Sequence, residues 1–474
     1  MAEFETNVQM LKYKVLREVA KRLFEGNLYD DYYSIPKVIV PGPKPTMRCC
    51  IYHERAIVEE RMKLALGGDK DIHNIVEVIK IACDECPLGG YEVTNRCRGC
   101  IAHRCEKVCR RNAIHFDART RAAYIDKDLC VECGMCAKAC QYNAIINNTR
   151  PCVSSCKVKA ITMDQDNAAA IDDSKCIQCG ACVYQCPFGA IMDKSFIKDA
   201  IDILKDSKFS ASYPVYAIVA PAIATQFKGV KLGQVITAIK RLGYSEVVEA
   251  ALGADLVSYQ EAKELEEKGF LTSSCCPAFV SFIKKVYPTL AGHISNYLSP
   301  MATIAKRIKE DHPECKIMFI GPCIAKKAEI QDETVSKYVD VTLTFEELQA
   351  MIDAREIDML SLEETSLEDA SYYGRVFARA GGLTEAVEKA LKEQNSSFVA
   401  KPLAADGLDN CKIALAKAKS PNRDFNFIEG MACVGGCIGG PAALNHGPKD
   451  KGGIDSHALE AGDKTIEHAQ GIHK

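Results

Sequence analysis

Sixteen cysteines lie between Cys83 and Cys186 of this 474-residue chain, and their spacing restricts the fold of that stretch more than anything else in the sequence. Four half-repeats each close with a cysteine, three further residues and Ala-Ile: Cys109 before Ala113-Ile114, Cys140 before Ala144-Ile145, Cys156 before Ala160-Ile161 and Cys186 before Ala190-Ile191. Two of the halves are complete. Cys130, Cys133, Cys136 and Cys140, like Cys176, Cys179, Cys182 and Cys186, follow the C-x2-C-x2-C-x3-C run, and Pro187 follows the second. A loop that tight surrounds three corners of a [4Fe-4S] cubane, while the fourth cysteine, already leaving the loop, serves the neighbouring cluster. Two ferredoxin-like units are therefore expected.

The other two halves are irregular. The first has Cys97, Cys100, Cys105 and Cys109, with one longer gap, and the third keeps only Cys152 and Cys156. Cys83 and Cys86 can supply the missing pair. With the crossover, the sets are Cys97, Cys100, Cys105 with Cys140; Cys130, Cys133, Cys136 with Cys109; Cys176, Cys179, Cys182 with Cys156; and Cys83, Cys86, Cys152 with Cys186. This preferred pairing uses all sixteen cysteines in four clusters. Coupling the two complete halves to each other instead gives two clusters and leaves the remainder for one or two more, or for a zinc ion. The 21 residues from Cys109 to Cys130 and the 20 from Cys156 to Cys176 point to two units of one size.

Reading cysteines as ligands requires a reducing compartment. The first 24 residues form a charged amphipathic pattern rather than a secretory signal, and no later run is long and apolar enough to span a membrane, so the cytoplasm is expected. There the 25 cysteines count as metal ligands rather than disulfides. A net charge of -3 gives no polyanion-binding signature, which leaves proteins and small molecules as partners and excludes nucleic acid and membrane.

The chain divides by pattern into residues 1–82, 83–200 and 210–474. The first region reads as mostly helical, broken by a linker from Ile35 to Pro45. Adjacent Cys49 and Cys50, ahead of a helical segment, read as packing residues and receive no role. Beyond residue 200, short apolar strands at 216–220 and 316–320 each run into a proline turn, and Lys231–Leu242 and Ala262–Lys268 read as helices, the signature of α/β architecture. In such sheets, sites form where loops leave the C-terminal ends of parallel strands, and Gly321-Pro322-Cys323 falls at one such end.

Seven cysteines lie in this last region. Four occur in Gly- or Pro-marked motifs: Cys276 in Ser273-Ser274-Cys275-Cys276-Pro277, Cys323 in Gly321-Pro322-Cys323-Ile324-Ala325-Lys326-Lys327, and Cys433 and Cys437 in a stretch with five glycines from Glu429 to Pro441. Four thiolates suit a cubane, and glycines let the backbone bend tightly around it. The plainer reading of the last stretch is a Gly-rich turn with two buried thiols. Cys315 and Cys411 stand in ordinary charged segments and read as non-ligands. Glu261 and Glu264 share a helix face, which, beside Glu266-Glu267-Lys268, reads on its own as solvated.

These three motifs, in this order and behind a ferredoxin-like region, resemble those of the [FeFe]-hydrogenases, and more closely the branch whose second motif begins Gly-Pro-Cys. The resemblance covers roughly residues 83–445. It implies an α+β ferredoxin-like Fe-S region followed by an α/β, two-lobed H-cluster domain with parallel sheets. It also implies an H-cluster, with a cubane on Cys276, Cys323, Cys433 and Cys437. Cys437 would bridge to a diiron unit carrying CO, CN and a dithiolate with an amine. By position, Lys326 matches a lysine that donates to cyanide, Cys275 the thiol that hands protons to the amine, and Met431 a methionine packed on the diiron unit. Ala220, Pro221 and Ala222 match a loop facing it. Glu261, Glu264 and Ser295 match a proton relay. Two departures stand out: Gly321 replaces a methionine, and Ser273 a threonine. The activity so implied is 2H+ + 2e- ⇌ H2, fed by the accessory clusters from ferredoxin or a similar soluble carrier, with maturation proteins as further partners. The alternative is an H2-sensing or electron-relay protein of low turnover.

Overall fold

The computed structural model describes residues 4–87, 89–368, 370–420, 422–447, 449–462 and 465–467, so the outer bounds of the first and third regions, residues 1 and 474, lie outside it. Helix α1 (Asn7–Glu25) starts where the Thr6 side chain accepts the Gln9 amide and stops at Gly26, whose positive φ of 80° ends the run. Its buried stripe includes Val15, Leu16 and Val19. The expected linker is partly helical: Ile35–Ile39 forms a short helix, because Pro36 falls in its first turn, where no amide donor is needed. Nor are Cys49 and Cys50 packing residues, since both are exposed. Cys50 caps α2 (Ile51–Ala65), its sulfur accepting the His53 amide at 3.4 Å, and Cys49 lies 3.4 Å from His53 Nδ1.

The cysteine-rich stretch is two units, one nested inside the other. Its strands are β1 (Val76–Val78), β2 (Tyr91–Val93), β3 (Ile114–Phe116), β4 (Ala123–Ile125), β5 (Ile145–Asn147), β6 (Ile161–Met163), β7 (Ala169–Ile171) and β8 (Ile191–Asp193). All pairs are antiparallel: β2 with β5 and β3 with β4 make the outer unit, and β1 with β8 and β6 with β7 the inner one. The inner unit is interrupted after Cys86 and resumes before Cys152. At the neck the Asn148 amide donates to Gly90 O at 2.9 Å, and buried Arg150 donates to Pro87 O at 2.8 Å and Asn167 O at 2.7 Å. This insertion is why the third half-repeat keeps only two cysteines.

The structure also explains the Cys-x3-Ala-Ile signature. In each half the alanine amide donates to the cysteine sulfur four residues earlier: Ala113 to Cys109 at 3.3 Å, Ala144 to Cys140 at 3.4 Å, Ala160 to Cys156 at 3.2 Å and Ala190 to Cys186 at 3.2 Å. The turn needs a residue of positive φ just before the alanine, supplied by Asn112, Asn143, Lys159 and Gly189. All four alanines are 1% exposed, so a larger side chain has no room there.

The rest of the chain holds two parallel sheets. Strands β9 (Val215–Val219), β10 (Glu246–Glu249), β12 (Lys316–Gly321) and β13 (Val341–Thr344) form one, in the order β10-β9-β12-β13. Strands β11 (Leu271–Thr272), β14 (Pro402–Asp406) and β15 (Phe427–Met431) form the other, in the order β11-β15-β14. The expected strands at 216–220 and 316–320 are β9 and β12, and a helix spans Leu232–Leu242. The helix expected at Ala262–Lys268 is only the end of a longer one, α3 (Ala250–Lys268). Its first half, Ala250 to Ser258, is buried nearly all round, so it lacks the one-sided apolar period that marks a surface helix.

A buried charge network joins the three regions. Lys327, on the short helix α4 (Ala325–Glu329), pairs with Asp193 at 2.7 Å and with Glu347 of α5 (Phe345–Ala354) at 2.9 Å, and donates to Lys194 O. Lys12 of α1 pairs with Asp193 and Glu346. Removing one partner would strand a buried charge, so the network fixes how α1, the end of β8 and the Cys323 loop meet.

Candidate metal centre

The loops that leave β9, β11, β12 and β15 at their C-terminal ends converge on one cavity. Its lining includes Cys275, Cys276, Cys323, Cys433 and Cys437, with Lys326, Met431, Ala220, Pro221 and Ala222. Every motif residue expected near a cubane or diiron unit is thus on this wall. Asp406 accepts the Gly435 amide at 2.7 Å, and Glu429 accepts the Gly381 and Thr384 amides at 2.7 and 2.8 Å, tying the Cys433–Cys437 loop and its neighbour to β14 and β15. At Gly436, whose φ is 93°, a Cβ would come within 2.7 Å of Ala380 N, so this close approach requires glycine.

The walls are apolar, and burial dominates the thiols. It pushes the Cys323 thiol up to about 12, with Cys276 and Cys437 adding to it, and lifts Cys433 well above the ordinary range. The surface that Cys437 leaves accessible faces the cavity, and its thiol too is pushed by burial up to about 12. Burial thus disfavours the bare thiolate at Cys323, Cys433 and Cys437, and these thiols, converging with Cys276, are suited to positive iron, which supplies the missing charge. The residues present therefore fit a cubane.

Lys326 is not the solvated charge that an Ala-Lys-Lys run suggests. Burial opposes its charge, yet Glu329 at 2.6 Å holds its ammonium above the usual range. Gly321 has a local cause as well: a Cβ there would sit 2.7 Å from the Phe319 ring, which itself lines the cavity and fills the volume a methionine at 321 would need. The Ser273 hydroxyl accepts the Gly430 amide at 3.1 Å, pinning β15 beside the Cys276 loop. Cys411 is buried and donates to Ala405 O and Met431 O, so it supports the strand ends from behind. Cys315 is buried in the core of the first sheet's side of the molecule.

Glu261 and Glu264, legible alone as a solvated face, are 0% and 5% exposed. Ser274 donates to Glu261 Oε1 from both its amide and its hydroxyl at 3.4 Å, while Glu261 Oε2 has no hydrogen-bond partner among the described residues. Burial raises the Glu261 carboxyl to about 7, against the nearby Ser295 hydroxyl and the Ser274 donors, which favour its ionised form. The Ser295 hydroxyl donates to Glu264 Oε2 at 3.1 Å, and Lys268 reaches Glu264 Oε1 at 2.6 Å with its own side chain 32% exposed. Cys275, raised well above the ordinary thiol range by burial and by Glu261, stands at the cavity end. A polar line thus runs from the cavity to the surface. Lys268 and Ser274 were not anticipated, although the i,i+4 spacing from Glu264 to Lys268 is readable.

The accessory cysteines group by the charges they feel. Cys152 is pushed up to about 11 by burial and by Cys186, Cys86 and Cys83. Burial and then Cys179, Cys176, Cys156 and Cys152 lift Cys182, while Cys105 feels Cys100 and Cys140, and Cys136 feels Cys130 and Cys109. Cys182 thus feels Cys152 as well, so the two cysteine groups of the inner unit adjoin. Cys179 also feels Cys276, and a Cβ on neighbouring Gly180 would meet Ile324 and Pro441 at 2.6 and 2.7 Å, so this loop packs closely on the segments that follow Cys323 and Cys437.

Residues 213–441 match the iron only hydrogenase large subunit, C-terminal domain, and residues 123–146 and 169–192 match the 4Fe-4S binding domain. The chain is thus similar to the iron-only, or [FeFe], hydrogenases over its C-terminal domain and carries 4Fe-4S binding motifs ahead of it. It is 26% identical to iron hydrogenase 1 of Clostridium pasteurianum over 396 residues, covering 73% of this chain and 69% of that one. It is also 26% identical to the periplasmic [Fe] hydrogenase large subunit of Nitratidesulfovibrio vulgaris, covering 52% of this chain and 72% of that one. A shorter match, 35% identical over 96 residues and 20% of each chain, is to the cytosolic Fe-S cluster assembly factor NAR1 of Kluyveromyces lactis. A solved structure of [FeFe]-hydrogenase HydA1 from Chlamydomonas reinhardtii superposes with a TM-score of 0.44 at 19% identity, covering 55% of this chain and 89% of that one.

Proposed function

We propose that this protein is a ferredoxin-dependent [FeFe]-hydrogenase catalysing 2H+ + 2e- ⇌ H2. The observation that carries the reading is that Cys275, at the head of the Glu261–Ser295–Glu264 line, opens into the same cavity as Cys276, Cys323, Cys433 and Cys437. Those four cysteines would hold the cubane of an H-cluster, with Cys437 bridging to the diiron unit. When bound, that unit supplies the centre at which protons and electrons combine. The protein's own work is then positional. Lys326, held by Glu329, presents an ammonium to an anionic ligand; Met431 and the Ala220-Pro221-Ala222 loop pack the apolar wall; and Cys275 holds or passes a proton at Sγ. The raised carboxyl of Glu261 suits a relay that must take up and release protons near neutral pH.

Electrons would pass through four accessory [4Fe-4S] clusters in two ferredoxin-like units, and the two parallel sheets would form the two lobes around the H-cluster. The cytoplasm is the proposed location. No described helix is long and apolar enough to cross a membrane, and none of the 25 cysteines is joined in a disulfide. Ferredoxin and maturation proteins are the proposed partners.

A second reading is an Fe-S protein of low turnover, favoured by the 35% identity to the NAR1 segment. Infrared spectroscopy of anaerobically matured protein separates them. The hydrogenase reading expects CO and CN stretches and H2 evolution from a reduced low-potential donor. Iron without either band, and no H2, would leave the second reading.

A further inference from the structure

The first cysteine loop of the inserted unit carries a feature that the relay itself does not use. Between residues 96 and 111 stand six basic residues, Arg96, Arg98, Arg104, Lys107, Arg110 and Arg111, against one acid, Glu106. All six are exposed, and among the described residues none makes an ion pair, because Glu106 is taken by His103 at 2.9 Å. At the centre of this loop Ile101 is 99% exposed beside exposed Cys100. The complete loop of the inner unit, residues 176–186, by contrast has no charged residue. A chain of net charge -3 has therefore gathered positive charge without ion-pair partners among the described residues around one exposed cysteine loop.

We infer that this basic loop, with Ile101 at its centre, is the docking surface for a small acidic iron-sulfur carrier protein. The inference rests on the proposed relay and names where its outer partner binds. Charge complementarity steers such a carrier and orients it, while an apolar contact at the centre lets two exposed cluster edges approach without intervening water. The exposed apolar centre, and the lack of any Phe, Tyr or Trp on residues 96–111 to stack a base, favour a protein over a nucleic acid.

The test is titration calorimetry of the anaerobic, cluster-loaded protein with a purified acidic 2[4Fe-4S] ferredoxin, at low and at high ionic strength. This readout needs no turnover. If the protein proves to have no H-cluster, the proposed activity fails while the binding result stands. The parent should bind, and bind less tightly as salt rises. Arg98→Glu/Arg104→Glu/Arg111→Glu should bind about tenfold more weakly with a flatter salt dependence. If that variant loses iron, Ile101→Asp alone, at a side chain that touches solvent only, carries the test and should also weaken binding. Undiminished binding by an iron-replete variant would overturn the inference. So would a parent that binds a short DNA duplex more tightly than the ferredoxin and loses that binding in the variant.

Discussion

The loops at residues 97–109 and 176–186 are built from the same half-repeat and meet opposite surroundings. Each ends in a cysteine whose sulfur accepts the amide of a buried alanine four residues on. The inner loop has no charge and packs Gly180 against Ile324 and Pro441, just beyond Cys323 and Cys437; the outer is ringed by exposed arginines. Ligand spacing therefore fixes that a cluster is held, and the surroundings decide what it exchanges electrons with.

The largest expected effect separates the two ends. Cys276→Ala should remove a ligand from the central cubane, so CO and CN bands should be absent from matured protein and H2 evolution should fall to background. Cys100→Ala, at the exposed end, should leave both bands in place. If Cys276→Ala keeps the bands, the cubane is held otherwise than proposed.

Next is the residue beside it. Cys275→Ala should keep the infrared bands and iron content, yet cut turnover about 10²–10⁴-fold, the usual contribution of a positioned proton donor. Parent-like turnover would mean that protons bypass Glu261 and Ser295.

A smaller effect concerns stability. Glu261 rises from 4.5 to about 7 on folding, mainly through burial. The folded form thus holds its proton more tightly than the unfolded chain. Its contribution is complete below about 4.5 and is lost as pH rises through 7, worth ~3 kcal/mol for a shift of this size. Anaerobic denaturant titrations of parent and Glu261→Gln across that window should diverge, the parent losing stability as pH rises and the variant staying flatter. Parallel curves would show that the carboxyl is not desolvated as described.

Legibility follows the range of the interaction. Cluster ligands lie within a few residues of one another, so their spacing is written locally, and even the interrupted unit could be completed by matching Cys83 and Cys86 to the gap before Cys152. Burial of Glu261 and Glu264 is a tertiary fact. Their helix is apolar nearly all round at its start and ends in Glu266-Glu267-Lys268, so the visible end misrepresents the rest. Lys327 reads as surface and is instead 0% exposed, because two carboxylates from distant segments, Asp193 and Glu347, meet it. Phe319 takes the space beside Gly321, a substitution whose reason lies in the folded neighbour. The basic loop was hidden by averaging, since a whole-chain charge of -3 conceals a local excess.

The last prediction tests the nesting directly. Residues 91–147 contain eight cysteines, all of the outer unit, and the chain ends that flank them already meet where the Asn148 amide donates to Gly90 O at 2.9 Å. The unit's hydrogen bonds to the remainder run to this neck: Lys127 to Gly89 O, and Asn148 to Glu92. Its small core, formed around Ile114, Ala123 and Ile145, is separate from the cluster that includes Val76, Ile161 and Ile191. Replacing residues 91–147 with a short Gly linker should therefore leave the inner unit's strand pairs and all eight of its cysteines intact. Iron in protein lacking the diiron unit should fall from near twenty per chain to about twelve, because each cubane holds four. H2 evolution driven by a small artificial donor should persist, since such a donor can reach the inner clusters directly. Ferredoxin-driven evolution should drop about tenfold with the loss of electrostatic docking. Loss of all iron would show that the inner unit depends on the outer for folding, and the two would have to be described as one.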